Sequence, residues 1–380
     1  MNDSNATANF SAEECGMAEE YTLTRFALIS IASIISCLGV AGNTVLIIIF
    51  SKKQQNSNTP ATLYPSVLAC LDFAICTEYI LLFGVDAIFS YLEIDSLFII
   101  YYIYIIPVYI LARITQLAIP YMLIFATLER LFWTSKNKSP ILKAFHSTTG
   151  RHITVVLALL MCMIVRIPTA FSVEVKEFED CTYFFHSKST GPQLWAEESN
   201  AYYIFDYYVM TVAQTVVPFV LLLVLNMVIV KRMFSDSLQK EAIVTEVSYK
   251  EDRLLTARPV HKSSTISAMG LSFPPLKSMS PAVRSAVFTM GAIVASYLIS
   301  NSLHLILTWL ERRKSTLLMG EDENGPTNIS SNFHTYFSDL VSFTYMFTSA
   351  IRILIYYFCN PKIRNDLLDF LADRKGAVYL

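Results

Sequence analysis

A chain of 380 residues that is 54% hydrophobic, 16% charged and nearly neutral, with a formal net charge of −2, has too few charges to dress a water-soluble surface. That balance leaves no basic footprint for nucleic acid. With 11 glycines, 6 histidines, no Gly-rich phosphate loop and no His or Cys cluster at metal-ligand spacing, it offers few places for an enzyme's chemistry to sit, and neither an enzyme nor a cofactor is expected.

The charges fall between seven long apolar runs. A bilayer core about 30 Å thick takes roughly 20 residues of helix, the ladder that satisfies the backbone in lipid. In chain order the runs are Phe26–Phe50, Ala61–Phe89, Leu97–Leu131, Ile153–Phe171, Tyr202–Met233, Val283–Leu310 and Phe333–Phe358. The expected fold is an all-α membrane protein, a seven-helix bundle over residues 26–358, with a tail at 1–25 and an amphipathic helix plus tail at 359–380.

Basic residues near span ends are retained in the cytoplasm. With the N-terminus outside, 20 of the 29 Lys and Arg lie on the inner side and 6 outside. Acidic residues, among them Glu93, Asp95, Glu174, Glu177 and Glu179, gather at the outer mouth. Glycosylation sequons at Asn2, Asn5, Asn9 and Asn328 fall outside as well, and one at Asn137 falls inside, where it stays unmodified. The first 25 residues lack a basic start followed by an apolar core, so the first span is expected to direct insertion. The orientation suits a multi-pass protein of the plasma membrane.

The stretch from about 235 to 280 mixes Lys, Glu, Ser and Pro without apolar periodicity and reads as a cytoplasmic loop. Ser263, Ser264, Thr265, Ser267, Ser272 and Ser278 there either accept phosphate or serve only as solvated surface. After the last span, Ile363, Leu367, Leu368 and Leu371 recur at helical spacing, the mark of a helix lying on the inner leaflet. Cys359 at its edge is a palmitoylation candidate or a plain buried thiol.

Motifs lie along the spans in a definite order. Gly42-Asn43 is in the first, Leu68-Ala69-Cys70-Leu71-Asp72 in the second, Leu128-Glu129-Arg130-Leu131 at the inner end of the third and Pro218 in the fifth. Tyr297 to Asn301 marks the sixth, and Arg352 to Tyr356 the seventh. In this order they resemble a rhodopsin-like G-protein-coupled receptor, and the sixth-span Asn variant is similar to invertebrate and nematode peptide receptors of the FMRFamide-like type.

That resemblance implies an outward-facing receptor whose partners are a heterotrimeric G protein and an extracellular ligand. Arg130 would be held by Glu129 at rest and meet the G protein once the sixth helix swings out. Pro218 matches the family's bulge-forming proline. The sequence departs from the pattern where Leu303 replaces the sixth-span proline, so that helix is expected to kink less. In the seventh span Arg352 and Tyr356 stand where the family has Asn-Pro-x-x-Tyr, although Tyr357 fits with a one-residue slip.

Asp72 occupies the family's sodium position, but Ile119 replaces its usual polar helper. An unpaired charge in lipid is costly, so Arg352 is expected either to reach Asp72 as a tethered cation or to snorkel to the inner face. The family's usual loop disulfide lacks its third-span cysteine here, which leaves Cys181 to bridge Cys15 or both thiols unbridged.

Ala112 stands where amine receptors carry an acid, which argues against an amine ligand. The ligand candidates are Glu78, Arg113, Gln116, Asp206, Gln214, Asn301 and His304. Arg113 suits a carboxylate, and Glu78 or Asp206 a guanidinium, unless Arg113 and Glu78 neutralise each other. The acidic mouth favours a basic or C-terminally amidated neuropeptide. The alternatives are a chemoreceptor for a small external molecule and, from another class, a transporter.

Overall fold

The computed structural model describes residues 15, 21–56, 63–133, 147–179, 181–229, 231, 281–312, 319–322 and 325–378. The sequons at Asn2, Asn5, Asn9 and Asn137 and the 235–280 loop lie outside them, as does the Arg130 side chain.

Every apolar run is helical: α1 Leu23–Asn56, α2 Leu63–Leu92, α3 Asp95–Trp133, α4 Thr148–Ala170, α5 Asn200–Ile229 and α6 Pro281–Arg312. The seventh run is split into α7 Asn332–Ala350 and α8 Arg352–Cys359. Helices α1 to α5 are long and apolar enough to cross a membrane, and α7 with α8 makes a further crossing bent by 41°. Helix α6, 32 residues long or about 48 Å at 1.5 Å per residue, runs unbroken past Leu303 and completes the seven.

The outside of this bundle is apolar where a soluble protein's would be polar. Ile31, Ile34, Leu38, Leu157, Leu160 and Ile164 are exposed, as a lipid-facing belt requires. Between the helices Leu68, Cys76, Met122, Leu222, Ile293 and Met346 form one core. Gly39 lets α1 close on its neighbours, since a Cβ there would stand 2.7 Å from both Ala350 Cβ and Cys76 Sγ.

At one end, Glu93 in the left-handed region (φ 52°) turns the chain from α2 into α3. At the same end β1 Val173–Glu177 pairs antiparallel with β2 Lys188–Pro192 between α4 and α5. A second hairpin, β3 Met319–Asp322 with β4 Gly325–Ser330, carries Asn328 between α6 and α7. After α8, Asn360 accepts the Ile363 N–H at 3.3 Å and Pro361 opens α9, Pro361–Val378. Ile363 and Leu367 are buried, and Ile363 joins the cluster of Leu46, Phe50 and Tyr356, so α9 lies against the end of α1. Cys359 is half-buried beside it.

Among the described residues two helices contain π turns, Ile80–Gly84 in α2 and Ile204–Val209 with Val212–Val216 in α5. A π turn shifts the backbone ladder by one residue and strands carbonyls. Pro218, just beyond the last π turn, has no N–H to donate back, which frees the carbonyls four and five residues before it. Tyrosines take two such carbonyls in each helix. Tyr104 and Tyr101 of α3 donate to Leu81 O and Leu82 O at 3.0 and 3.1 Å. Tyr121 of α3 and Tyr297 of α6 donate to Ala213 O and Gln214 O at 2.9 and 3.1 Å. Replacing Tyr297 with Phe leaves a buried carbonyl unfilled and should destabilise the purified chain by about 1–3 kcal/mol; an unchanged melting temperature would show that the hydroxyl contributes nothing.

Candidate functional site

Three polar layers are stacked inside the bundle. The middle one joins α1, α2, α7 and α8. Asn43 is fully buried and donates to Ser349 O at 3.2 Å. Asp72, also fully buried, lies 3.1 Å from Arg352 Nη1, and Arg352 is itself 4% exposed with Ser349 beside the pair. Arg352 therefore reaches Asp72 instead of snorkelling. Ile119 is buried in the adjoining core and supplies no ligand for an ion. Tyr356, one turn beyond Arg352, is 3% exposed and packs edge-on to Phe50 at 5.7 Å, which favours it over the less buried Tyr357 as the inward tyrosine.

The second layer lies toward the hairpin end. A cavity of about 270 Å3 opens between α2, α3, α6 and α7, and Glu78, Arg113, Gln116 and His304 line it. Glu78 is 3% exposed and accepts the Thr115 hydroxyl at 2.9 Å. Arg113 donates from Nε to the Tyr109 hydroxyl at 3.0 Å and lies 5.0 Å from that ring's centre. Among the described residues no ion pair joins Glu78 to Arg113, so they do not neutralise each other.

Three of the expected ligand residues sit elsewhere. Asp206 borders a second cavity of about 380 Å3 beneath β1 and β2, which shares Tyr109 with the first, and it is paired with Arg166 at 3.6 Å. Gln214 is buried and accepts a hydrogen bond from Arg166. Asn301 is buried below the cavity, donating to Tyr297 O at 2.8 Å and accepting from the Tyr345 hydroxyl at 3.0 Å. Gln214 and Asn301 thus join helices to one another and do not line the first cavity. Arg166, which locks α4 to α5, was not among the expected residues, although an arginine inside an apolar run is itself a signal.

The third layer is at the other end. Glu129 is 7% exposed and its carboxylate meets Arg151 Nε of α4 at 2.9 Å. A buried guanidinium from another helix thus meets this carboxylate, while the expected contact of Glu129 with the Arg130 side chain lies outside the described residues. Arg130 itself sits on α3, one residue on.

The N-terminal tail is fastened at the hairpin end. Cys15 and Cys181 form a disulfide. Tyr21 donates to Asp86 of α2; burial and that carboxylate push its phenol above the ordinary range. Arg25 pairs with Asp339 of α7 at 2.8 Å and lies over the Tyr21 ring. Peptide mapping without reduction should therefore recover Cys15 and Cys181 in one cross-linked fragment, whereas alkylation of both without reductant would contradict the bridge.

No protein-family model matches this chain, and no curated protein sequence does. Its backbone is similar to the crystal structure of squid rhodopsin, with a TM-score of 0.61 over 93% of this chain and 87% of that one at 14% identity. With the helices as described, that likeness makes the fold a rhodopsin-type seven-helix bundle.

Proposed function

We propose that this chain is a G-protein-coupled receptor of the plasma membrane, N-terminus outside, that transmits the binding of an extracellular ligand to a heterotrimeric G protein. The observation that carries this reading is the vertical arrangement of the polar layers. A ligand-sized cavity stands at one end of the bundle, Glu129 and the neighbouring Arg130 of α3 at the other, and the Asn43, Ser349, Asp72 and Arg352 layer between them. A ligand that prefers one arrangement of these helices shifts the population the G protein meets.

The ligand is a neuropeptide in this reading. The exposed Glu93, Asp95, Glu177 and Glu179 at the hairpin end give an acidic mouth that attracts a peptide with a basic residue. A cavity of about 270 Å3 takes one end of such a ligand. That small volume also suits a small external molecule, the chemoreceptor alternative. Cells expressing the chain are challenged with pooled peptides and with pooled metabolites, with surface levels matched to an Arg130→Ala variant. A peptide response lost in the variant supports this reading; a metabolite response alone supports chemoreception. Ligand-dependent flux without G-protein activation contradicts both.

A further inference from the structure

The charges around the cavity are unequal in what they leave open, and on the receptor reading above this difference defines the ligand. Glu78 accepts from Thr115 at Oε1 and keeps a buried Oε2 without a protein partner, and Asp206 is paired with Arg166. Arg166 is committed in turn to Asp206 and Gln214. Arg113 has given only Nε, to Tyr109. Among the described residues no carboxylate pairs with it, so both terminal nitrogens remain for a ligand on the cavity wall. Beside it His304 lines the same cavity, with a buried Nδ1 that has no protein partner.

A guanidinium with its terminal N–H groups unused matches a carboxylate in charge and in planar two-point geometry. We propose that the deep end of the ligand is a carboxylate seated on Arg113, with His304 adjacent and Leu82, Phe83 and Leu307 receiving an apolar body. For a peptide this means a free C-terminus or an acidic side chain goes deepest, with any basic residue left at the acidic mouth. For a small molecule it means a carboxylic acid.

The test uses the full-length chain and two pairs of pools: peptides with free C-termini beside the same peptides amidated, and small carboxylic acids beside their primary amides. G-protein activation in cells and the melting temperature of the purified chain are both read, for the wild type, Arg113→Gln and Arg113→Lys. The proposal predicts that an acid pool acts at least tenfold more potently than its amide partner and that Arg113→Gln removes this preference. Arg113→Lys keeps part of it. Acids that raise the melting temperature of wild type but not Arg113→Gln, without G-protein activation, would uphold the carboxylate site and overturn the receptor reading. An amide pool acting as strongly as its acid, or acids acting equally on wild type and Arg113→Gln, would overturn the carboxylate site and leave the receptor reading standing. Silence of every pool in both readouts would overturn both.

Discussion

Arg352→Gln and Asp72→Asn should each destabilise the purified chain by about 3–5 kcal/mol, while the double variant recovers most of the loss. Asp72 is fully buried and Arg352 nearly so, at 3.1 Å. Removing either leaves a charge in a low-dielectric interior with no counter-ion, whereas removing both leaves two neutral amides. Thermal melts of the four proteins give the coupling. Additive losses would show that the two side chains act independently. Because the counter-ion is part of the chain, replacing sodium with choline should leave the wild-type melting temperature unchanged. The pair also spans a mechanical boundary: Arg352 opens α8 immediately after the 41° bend, so it ties the lower segment of the seventh crossing to α2.

The second large effect is expected at the opposite end. Arg151 is 2% exposed and its Nε meets Glu129 at 2.9 Å, joining the start of α4 to the C-terminal end of α3. Arg151→Leu should destabilise the chain, since the Glu129 carboxylate loses its Arg151 counter-ion. Glu129→Gln alone should also destabilise, and the two together should be milder than Arg151→Leu. Denaturation monitored by near-UV circular dichroism measures this. An Arg151→Leu protein as stable as wild type would mean that solvent or another group already satisfies Glu129.

The spans and the Asp72–Arg352 contact were legible in the sequence for one physical reason. Lipid imposes a length and an apolar composition on each helix, and a charge inside such a run must find a partner. With Asp72 and Arg352 both inside spans and no polar group at Ile119, few partners remained. The face that each residue of α5 presents was not legible. Each π turn adds a residue to the turn and rotates the remainder of the helix by about 100°, and α5 has two of them. That rotation decides that Asp206 and Gln214 meet Arg166, and no regular 3.6-residue spacing predicts it. The contact of Arg151 with Glu129 was missed for a different reason. Helix α4 begins at Thr148, five residues before the expected Ile153, which places Arg151 inside the helix. Ser147 accepting from Gly150 N–H is an N-cap that marks this start, and a serine just before a helical run is a readable signal.

The central claim, that this bundle passes an external signal to a G protein through Arg130, is tested most directly by nucleotide exchange. The purified chain is reconstituted in lipid nanodiscs with heterotrimeric G proteins of each class, in the presence of the pool that is active in cells. The account predicts that wild type speeds GTP-analogue uptake by at least one class and that Arg130→Ala, equally folded by its melting temperature, does so at least tenfold less. Exchange that is equally fast in wild type and Arg130→Ala, or no acceleration of any class by a chain that binds its ligand, would contradict it.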